Sequence, residues 1–590
     1  MISLMKLSPE QRRAVDSLAA ATVVIAPAGS GKTEVLAQRV ERFLQRTLED
    51  GYRVCALTYT VKAADELARR FDDRLGDLSR RVDADTFHGF ALGLLRQYGS
   101  RIGVPSDVEV LARDEDRLEL LQDWYSGQGI GRELTLKMLQ ETDVLRSRGE
   151  SSPLANDLQD ALSDRDALDF PAVFEKAVLL LKDPWVSRQV RTLYGLTVVD
   201  EAQNLTLMQF NFLVGLVGNP HDEGISVMLV GDTRQSIVGF AGADPRLLDR
   251  AREQFDAETI VLDRNYRSSA AIVRTANRVS LALDSQSKLS ESSVFAAEGL
   301  VAYAEYASEE EEAASLVAQV RALLAGGIRQ EYAVEGESKS VRPEDIAVLG
   351  RTASSLSPVA EALSGSGINF AMGSTQADWL ASSQGRLLLA ILEWKAAPGH
   401  HSAKRNLSRE LGGVEFEGDD EIFLARADVP YASAFSGVVT SDAPAVAMSA
   451  VAELEFDDPD WIADKRLITA AWTDFMQRTP ERSRTFSAFF QSIGRVQRGD
   501  NLSEGVRLLT VHRAQGREFK VVFIVALNDG QLPDFRAQSR ADLLAELRVF
   551  YVAVTRASRL LYLSRSRTRR TRFGLRRTDP SPFLRHVTDG

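Results

Sequence analysis

The segment that most restricts the fold is Ala26-Pro27-Ala28-Gly29-Ser30-Gly31-Lys32-Thr33. It follows the apolar run Thr22–Ile25 and opens a helical stretch, Glu34 to Leu44. A glycine-rich turn between a buried strand and a helix is what a nucleotide phosphate site needs. Small residues at Ala28, Gly29, Ser30 and Gly31 let backbone N–H groups approach phosphates, and the helix N-terminus adds partial positive charge. Lys32 reaches the β and γ phosphates, and Thr33 offers a hydroxyl to Mg²⁺. The strict pattern begins with glycine where Ala26 stands, so the reading rests on Gly29, Gly31, Lys32 and Thr33.

Around this turn the pattern alternates strand and helix. Val23–Ala26, Arg53–Leu57 and Val82–Thr86 read as strands separated by helices, the signature of a parallel sheet. From Phe90 to Arg191 the periodicity is helical, and strands return at Leu196–Asp200, Ser226–Val230 and Thr259–Leu262. A helical insertion therefore interrupts one α/β domain. A second α/β pattern begins near Asn265: strand Gly299–Tyr306, helix Glu309–Leu324, strand Asp345–Leu349. It resumes with strands at Val506–Val511 and Val521–Ala526, a helix at Ala541–Thr555 and a strand at Arg559–Leu563. The expected division is 1–89 with 192–264, an insertion at 90–191, then 265–372 with 506–590, and a second insertion at 373–505.

No apolar run approaches the roughly 18–20 residues of a membrane span, and the first residues lack a signal-peptide core. The single cysteine, Cys55, excludes an internal disulfide or a cysteine-based zinc cluster and fits a reducing, cytoplasmic setting. A net charge of −12 argues against bulk attraction to nucleic acid but leaves room for a local basic channel. The charge is segregated: Glu309–Glu312 is acidic, while Arg565, Arg567, Arg569, Arg570, Arg572, Arg576 and Arg577 crowd the C-terminal tail. Such a tail reads as a solvated end or as a nucleic-acid contact.

The strand Leu196–Val199 ends in Asp200-Glu201. Carboxylates at the C-terminal edge of a parallel strand face the ligand crevice. Asp200 suits Mg²⁺ coordination, and Glu201 suits polarising an attacking water. Gln235 follows the next strand closely enough for its amide to sense a γ-phosphate. Arg267 and Arg556 lie in the second half, where phosphoryl transfer would draw cations from.

These segments together resemble a superfamily 1A helicase of the UvrD/Rep/PcrA type. The resemblance is carried by Leu7–Val15, the phosphate loop, Leu57–Ala64, Asp85–Phe90, Val199–Gln203, Gly231–Gly242, Leu262–Ser268, Leu509–Phe519 and Phe550–Ala557, in that order. It implies two RecA-like parallel-sheet domains of the P-loop NTPase class, each with a largely helical insertion. It also implies ATP and Mg²⁺, with Thr33 and Asp200 at the metal. Gln11 would read adenine, Tyr266 would stack on it, and Glu518 would contact the ribose. Gln235, Arg267 and Arg556 would contact the γ-phosphate. Thr58, Tyr59, Phe87, His88, Phe240, Thr510 and His512 would line a single-strand path. The implied activity is ATP-driven 3′→5′ movement on single-stranded DNA or a 3′-tailed duplex, in repair, replication or defence. The competing reading is a DNA-stimulated regulatory ATPase gating a partner nuclease. The chain departs from the family pattern at Glu34, Asn204, Ala241 and Gln515, where the family usually has a basic residue, Asp, Arg and Lys.

Overall fold

The apolar run ahead of the phosphate loop is strand β1 (Ala21–Ile25), buried on both faces. Ala21 and Val23 pack into one hydrophobic cluster and Val24 into another, so helices cover both sides of the sheet it belongs to. The computed structural model describes residues 7–372 and 505–587 apart from 112–115, 119, 122–131, 224, 240–241, 286–288, 291–297, 335–336 and 572–573. Between 373 and 504 it describes 401–410 and scattered helical positions. The expected second insertion therefore lies largely outside the described residues.

Helix α1 (Pro9–Asp16) precedes β1 and starts with a reciprocal capping box, in which Ser8 and Gln11 satisfy each other's backbone N–H. After β1 come α2 (Lys32–Arg46), β2 (Arg53–Thr58), α3 (Val61–Leu75), β3 (Val82–Thr86) and α4 (Phe87–Tyr98). A short ladder, β4 (Glu109–Val110) with β5 (Ala167–Leu168), lies among α5 (Arg132–Ser147), α6 (Pro153–Ser163), α7 (Phe170–Leu180) and α8 (Pro184–Leu193). This helical insertion has its own small core of Leu111, Leu118, Leu121, Leu139 and Leu158. The first sheet then resumes with β6 (Tyr194–Val199), β7 (Ser226–Gly231) and β8 (Glu258–Val261). Its order is β3-β2-β6-β7-β1-β8, and every pairing is parallel. The phosphate loop, Asp200-Glu201 and Asp232 thus leave adjacent strands at one edge, where the strand order reverses.

The second half begins with α9 (Ala270–Leu283), β9 (Leu300–Ser308), α10 (Glu309–Gly326), β10 (Ile346–Gly350) and β11 (Phe370–Met372). It continues with β12 (Val506–Thr510), β13 (Phe519–Ile524), α11 (Arg540–Val554), β14 (Ala557–Thr571) and β15 (Gly574–Arg577). The second sheet runs β11-β12-β10-β13-β14, with β9 on the far side of β14 and β15 returning antiparallel from its end.

The basic tail corrects one expectation. Residues 559–563 are part of a fifteen-residue strand, and the tail is a paired hairpin rather than a solvated end. Its charges meet the acidic run. Arg569 is buried and forms 3.1 Å ion pairs with both Glu309 and Glu312. Arg565 pairs with Glu305 at 2.8 Å, and Arg570 with Glu310 at 3.4 Å. The segregation seen in sequence is therefore largely an intramolecular complementarity. Removing one member of a buried pair strands the other. We expect Arg569→Ala to destabilise the second half by about 3 kcal/mol. Chemical denaturation compared with an exposed control, Arg570→Ala, measures this, and equal midpoints for the two variants would refute it.

Candidate nucleotide site and strand path

Gly29 and Gly31 have φ of 78° and 81°, a region costly for any residue with a Cβ. Space forbids side chains there as well. A Cβ at Gly29 would sit 2.8 Å from Arg267 Cβ and the Asn265 amide, and one at Gly31 would sit 2.8 Å from Gln11 Nε2. Gly31 also ends the loop as the N-cap of α2 and offers no side-chain cap. The first N–H groups of α2 are therefore left for an anion. Beside them Ser30 is buried, and among the described residues its hydroxyl has no hydrogen-bond partner.

Lys32 Nζ lies 2.7 Å from Glu201 Oε1. Glu201 is held at φ 52°, and its second oxygen accepts a hydrogen bond from the Gln203 amide. Burial pushes the Glu201 carboxyl up, but Lys32, Gln203 and Arg556 outweigh it and hold it below its ordinary range. Asp200 behaves oppositely. Burial and the Glu201 charge raise it, against the pull of Lys32 and Arg70. The two neighbouring carboxyls are thus driven apart, one poised as an ionised base and the other calling for a cation.

The second half closes over this edge. Arg556, 2% exposed, donates to the carbonyls of Val552 and Arg517 at 3.0 Å each and to Gln235 Oε1 at 3.3 Å. Among the described residues no carboxylate forms an ion pair with it. Burial first, and then the charge of Arg267, push its guanidinium down to about 9. Gln235 Nε2 donates to Asp232 at 3.0 Å. The segment between the halves clamps the phosphate loop: Asn265 Nδ2 donates to the Ala28 carbonyl at 2.9 Å, and Tyr266 N to the Gly29 carbonyl at 2.7 Å. Arg267 pairs with the exposed Glu518 at 2.5 Å. Gln11 Nε2 donates to the Ser30 carbonyl, while its Oε1 accepts from Ser8 N and from the Tyr266 hydroxyl at 3.3 Å. In this conformation the Gln11 amide braces the loop, and Glu518 holds Arg267.

Residues 7–150 and 134–256 match the UvrD/REP helicase N-terminal domain family, and residues 260–418 and 471–568 match the UvrD-like helicase C-terminal domain family. The chain belongs to the UvrD/Rep helicases. It is 25% identical to the ATP-dependent DNA helicase PcrA of Staphylococcus epidermidis over 652 residues, covering 99% of this chain and 86% of the relative. It is 28% identical to the ATP-dependent DNA helicase UvrD1 of Mycobacterium tuberculosis over 680 residues, covering 98% and 85%.

The residues expected along a strand path in this UvrD/Rep-type helicase divide into two groups. Tyr59, Thr510 and His512 are part-exposed near the C-terminal ends of β2 and β12. His88 is also part-exposed, its ring 4.4 Å from Phe174 and 4.9 Å from Phe170 of the insertion. Burial and then Arg351 lower the His512 imidazole, which favours its neutral form. Thr58 and Phe87 correct the expectation. Thr58 is fully buried at the end of β2, and Phe87 is 2% exposed in the core beneath the sheet. Phe87 takes the first position of α4, where Thr86 caps the helix and the ring turns inward. Neither residue presents a surface in this conformation. Phe240 and the departure at Ala241 lie outside the described residues.

The structure adds residues that the motif reading passed over. Gln203 donates to Glu201 and accepts from the Asp232 backbone N–H at 3.0 Å. Asp232 gathers Gln235, and Asn265 fixes the backbone of Arg267 and Ser268. Asp232 was within reach of the strand-edge rule that found Asp200, since it directly follows β7.

Proposed function

We propose that this chain hydrolyses ATP between its two sheets and uses the cycle to move 3′→5′ along single-stranded DNA and unwind duplex, in DNA repair. The observation that carries the reading is Arg556. A guanidinium buried on neutral acceptors, beside Gln235 and within electrostatic reach of Glu201, is costly unless an anion completes it. A γ-phosphate is that anion.

In this reading the phosphates lie on the N-terminus of α2, and the γ-phosphate competes with Glu201 for Lys32. Glu201, so released, orients and deprotonates the attacking water, while Arg556 and Arg267 take the developing charge. Tyr266 and Gln11 serve the base and Glu518 the ribose, which requires the Arg267–Glu518 pair to open. The site chemistry suits Mg²⁺. One carboxyl raised by burial and one hydroxyl are a typical protein share for such an ion. Thr33 and Asp200 would hold it, and it would neutralise charge on the β and γ oxygens.

Tyr59, His88, Phe240, Thr510 and His512 are the proposed strand contacts. Base stacking on the aromatic members contributes ~1–3 kcal/mol each, and Thr510 offers a hydroxyl instead. Arg567 and Arg570 on the hairpin are 64% and 78% exposed at the side chain and would suit phosphate contacts on leaving their ion pairs with Glu305 and Glu310. The halves 1–89 with 192–264, and 265–372 with 506–590, are the proposed moving bodies, carrying insertions 90–191 and 373–505.

ATP turnover measured with and without single-stranded DNA, beside unwinding of 3′- and 5′-tailed duplexes, tests the proposal. DNA-stimulated turnover and unwinding confined to 3′ tails are expected. Turnover indifferent to DNA would overturn it. Glu201→Gln is nearly isosteric and removes only the proton-accepting charge. We expect it to retain nucleotide binding and lose ~10²–10⁴ in hydrolysis. Loss of binding and hydrolysis together would assign Glu201 a structural role instead.

A further inference from the structure

Arg234 sits between Asp232 and Gln235 but faces the other half of the molecule. Its Nε pairs with Asp232 Oδ1 at 2.7 Å, and its backbone N–H returns to the same oxygen at 3.2 Å. Its Nη1 crosses to α9 and donates to the Ser280 hydroxyl at 2.8 Å. The guanidinium carbon lies 5.6 Å from the centre of the Tyr551 ring, on α11. Arg234, Asp232, Ser280 and Tyr551 are all buried. Arg556 follows five residues after Tyr551, just beyond the end of α11.

A continuous polar chain results. Glu201 accepts from Gln203, Gln203 accepts from the Asp232 N–H, and Asp232 holds both Gln235 and Arg234. Arg234 then grips α9 and covers the face of Tyr551 on α11. This side chain thus adds a tie, beside the direct Arg556–Gln235 and Tyr551–Asp232 hydrogen bonds, between the strand end that senses the nucleotide and the helix that delivers Arg556. Arginine suits this place because its planar fork serves a carboxylate, a hydroxyl and an aromatic face at once, which lysine cannot do.

We propose that Arg234 is a positioning residue that seats α11, and with it Arg556, against the first sheet for hydrolysis. This rests on the hydrolysis proposed above. Arg234 does not touch the nucleotide, so its loss should act through Arg556. It should lower kcat and leave the KM for ATP nearly unchanged, because Lys32 and the phosphate loop are untouched.

The test measures steady-state ATP turnover of the full chain, with single-stranded DNA, for wild type, Arg234→Ala, Ser280→Ala, Arg556→Ala and the double variant Arg234→Ala/Arg556→Ala. Wild-type turnover reads the underlying function by itself. Given that turnover, Arg234→Ala should lose about 10- to 100-fold in kcat with KM within about threefold. Ser280→Ala removes only a hydroxyl and should still fold. It should lose severalfold in kcat in the same direction. The double variant should be no slower than Arg556→Ala alone, because a residue acting through Arg556 has nothing left to position. Unchanged kcat in both Arg234→Ala and Ser280→Ala would overturn the proposal. Losses that multiply in the double variant would overturn it equally, since Arg234 would then act independently of Arg556.

Discussion

Arg556→Ala should slow ATP hydrolysis by ~10³–10⁵, the range that an arginine finger supplies. The expectation rests on where the residue stands rather than on its type. The guanidinium is donated by the second sheet, is shut away from water, and touches Gln235 of the first half. Its hydrogen bonds reach only neutral oxygens, and among the described residues no carboxylate pairs with it directly, so a phosphate would be the anion that meets it at contact distance. Ground-state affinity draws mainly on the phosphate loop, and nucleotide binding should fall far less than turnover. The variant should also uncouple the halves, because the γ-phosphate would no longer be shared between them. Single-strand affinity should then stop responding to a non-hydrolysable analogue. Turnover, nucleotide affinity and strand affinity read these three expectations separately. Normal turnover in the variant would remove Arg556 from the transition state and the two-body motor with it.

Lys32→Ala should reduce turnover below detection while leaving the fold intact. Loss of one cation aimed at developing phosphate charge costs ~10²–10³ by itself. A second consequence follows from the 2.7 Å Lys32–Glu201 pair. Lys32 is first among the groups that hold the Glu201 carboxyl down against burial, so its loss moves that carboxyl upward. The variant therefore loses the phosphate cation and shifts the ionisation of the neighbouring carboxyl together. Lys32 begins α2 and is absent from the hydrophobic clusters, so the helix does not depend on it. Phosphate release under saturating ATP, beside a circular dichroism spectrum, checks both parts. Substantial turnover would sink the site assignment.

The sequence was most legible where function fixes local conformation. The strand, the glycines and the helix around Lys32 lie within a few residues of one another, and so do β6 and its acid pair. The expected strand at Gly299–Tyr306 is found at Leu300–Ser308, and the expected helix at Ala541–Thr555 is found at Arg540–Val554. Pairings between distant segments were not legible. Arg569 and Glu312 are 257 positions apart, and nothing local says that one neutralises the other. The same holds for Arg234 and Tyr551, whose meeting depends on how two sheets dock. Phe87 shows the converse limit. Its motif marks the position, but whether an aromatic at a helix start faces in or out is decided by packing against the core.

The place of β14 has a consequence for how the molecule is made. This strand lies between β13 and β9, so the second sheet is built around a strand that emerges after both of its parallel partners. The first sheet has all its strands once residue 261 has emerged, with the phosphate loop and acid pair in place. A nascent chain at that stage carries the proposed nucleotide cradle but no Arg556, so its hydrolysis should be slowed as expected for Arg556→Ala. Until residues 557–571 arrive, β9 and β13 lack a common partner and leave apolar edges such as Val301 and Val521 uncovered. Such edges are prone to pairing with other chains. Translation order therefore delays the firing of the motor until residues 557–571 have emerged, and it concentrates the hazard of misassembly in the same interval.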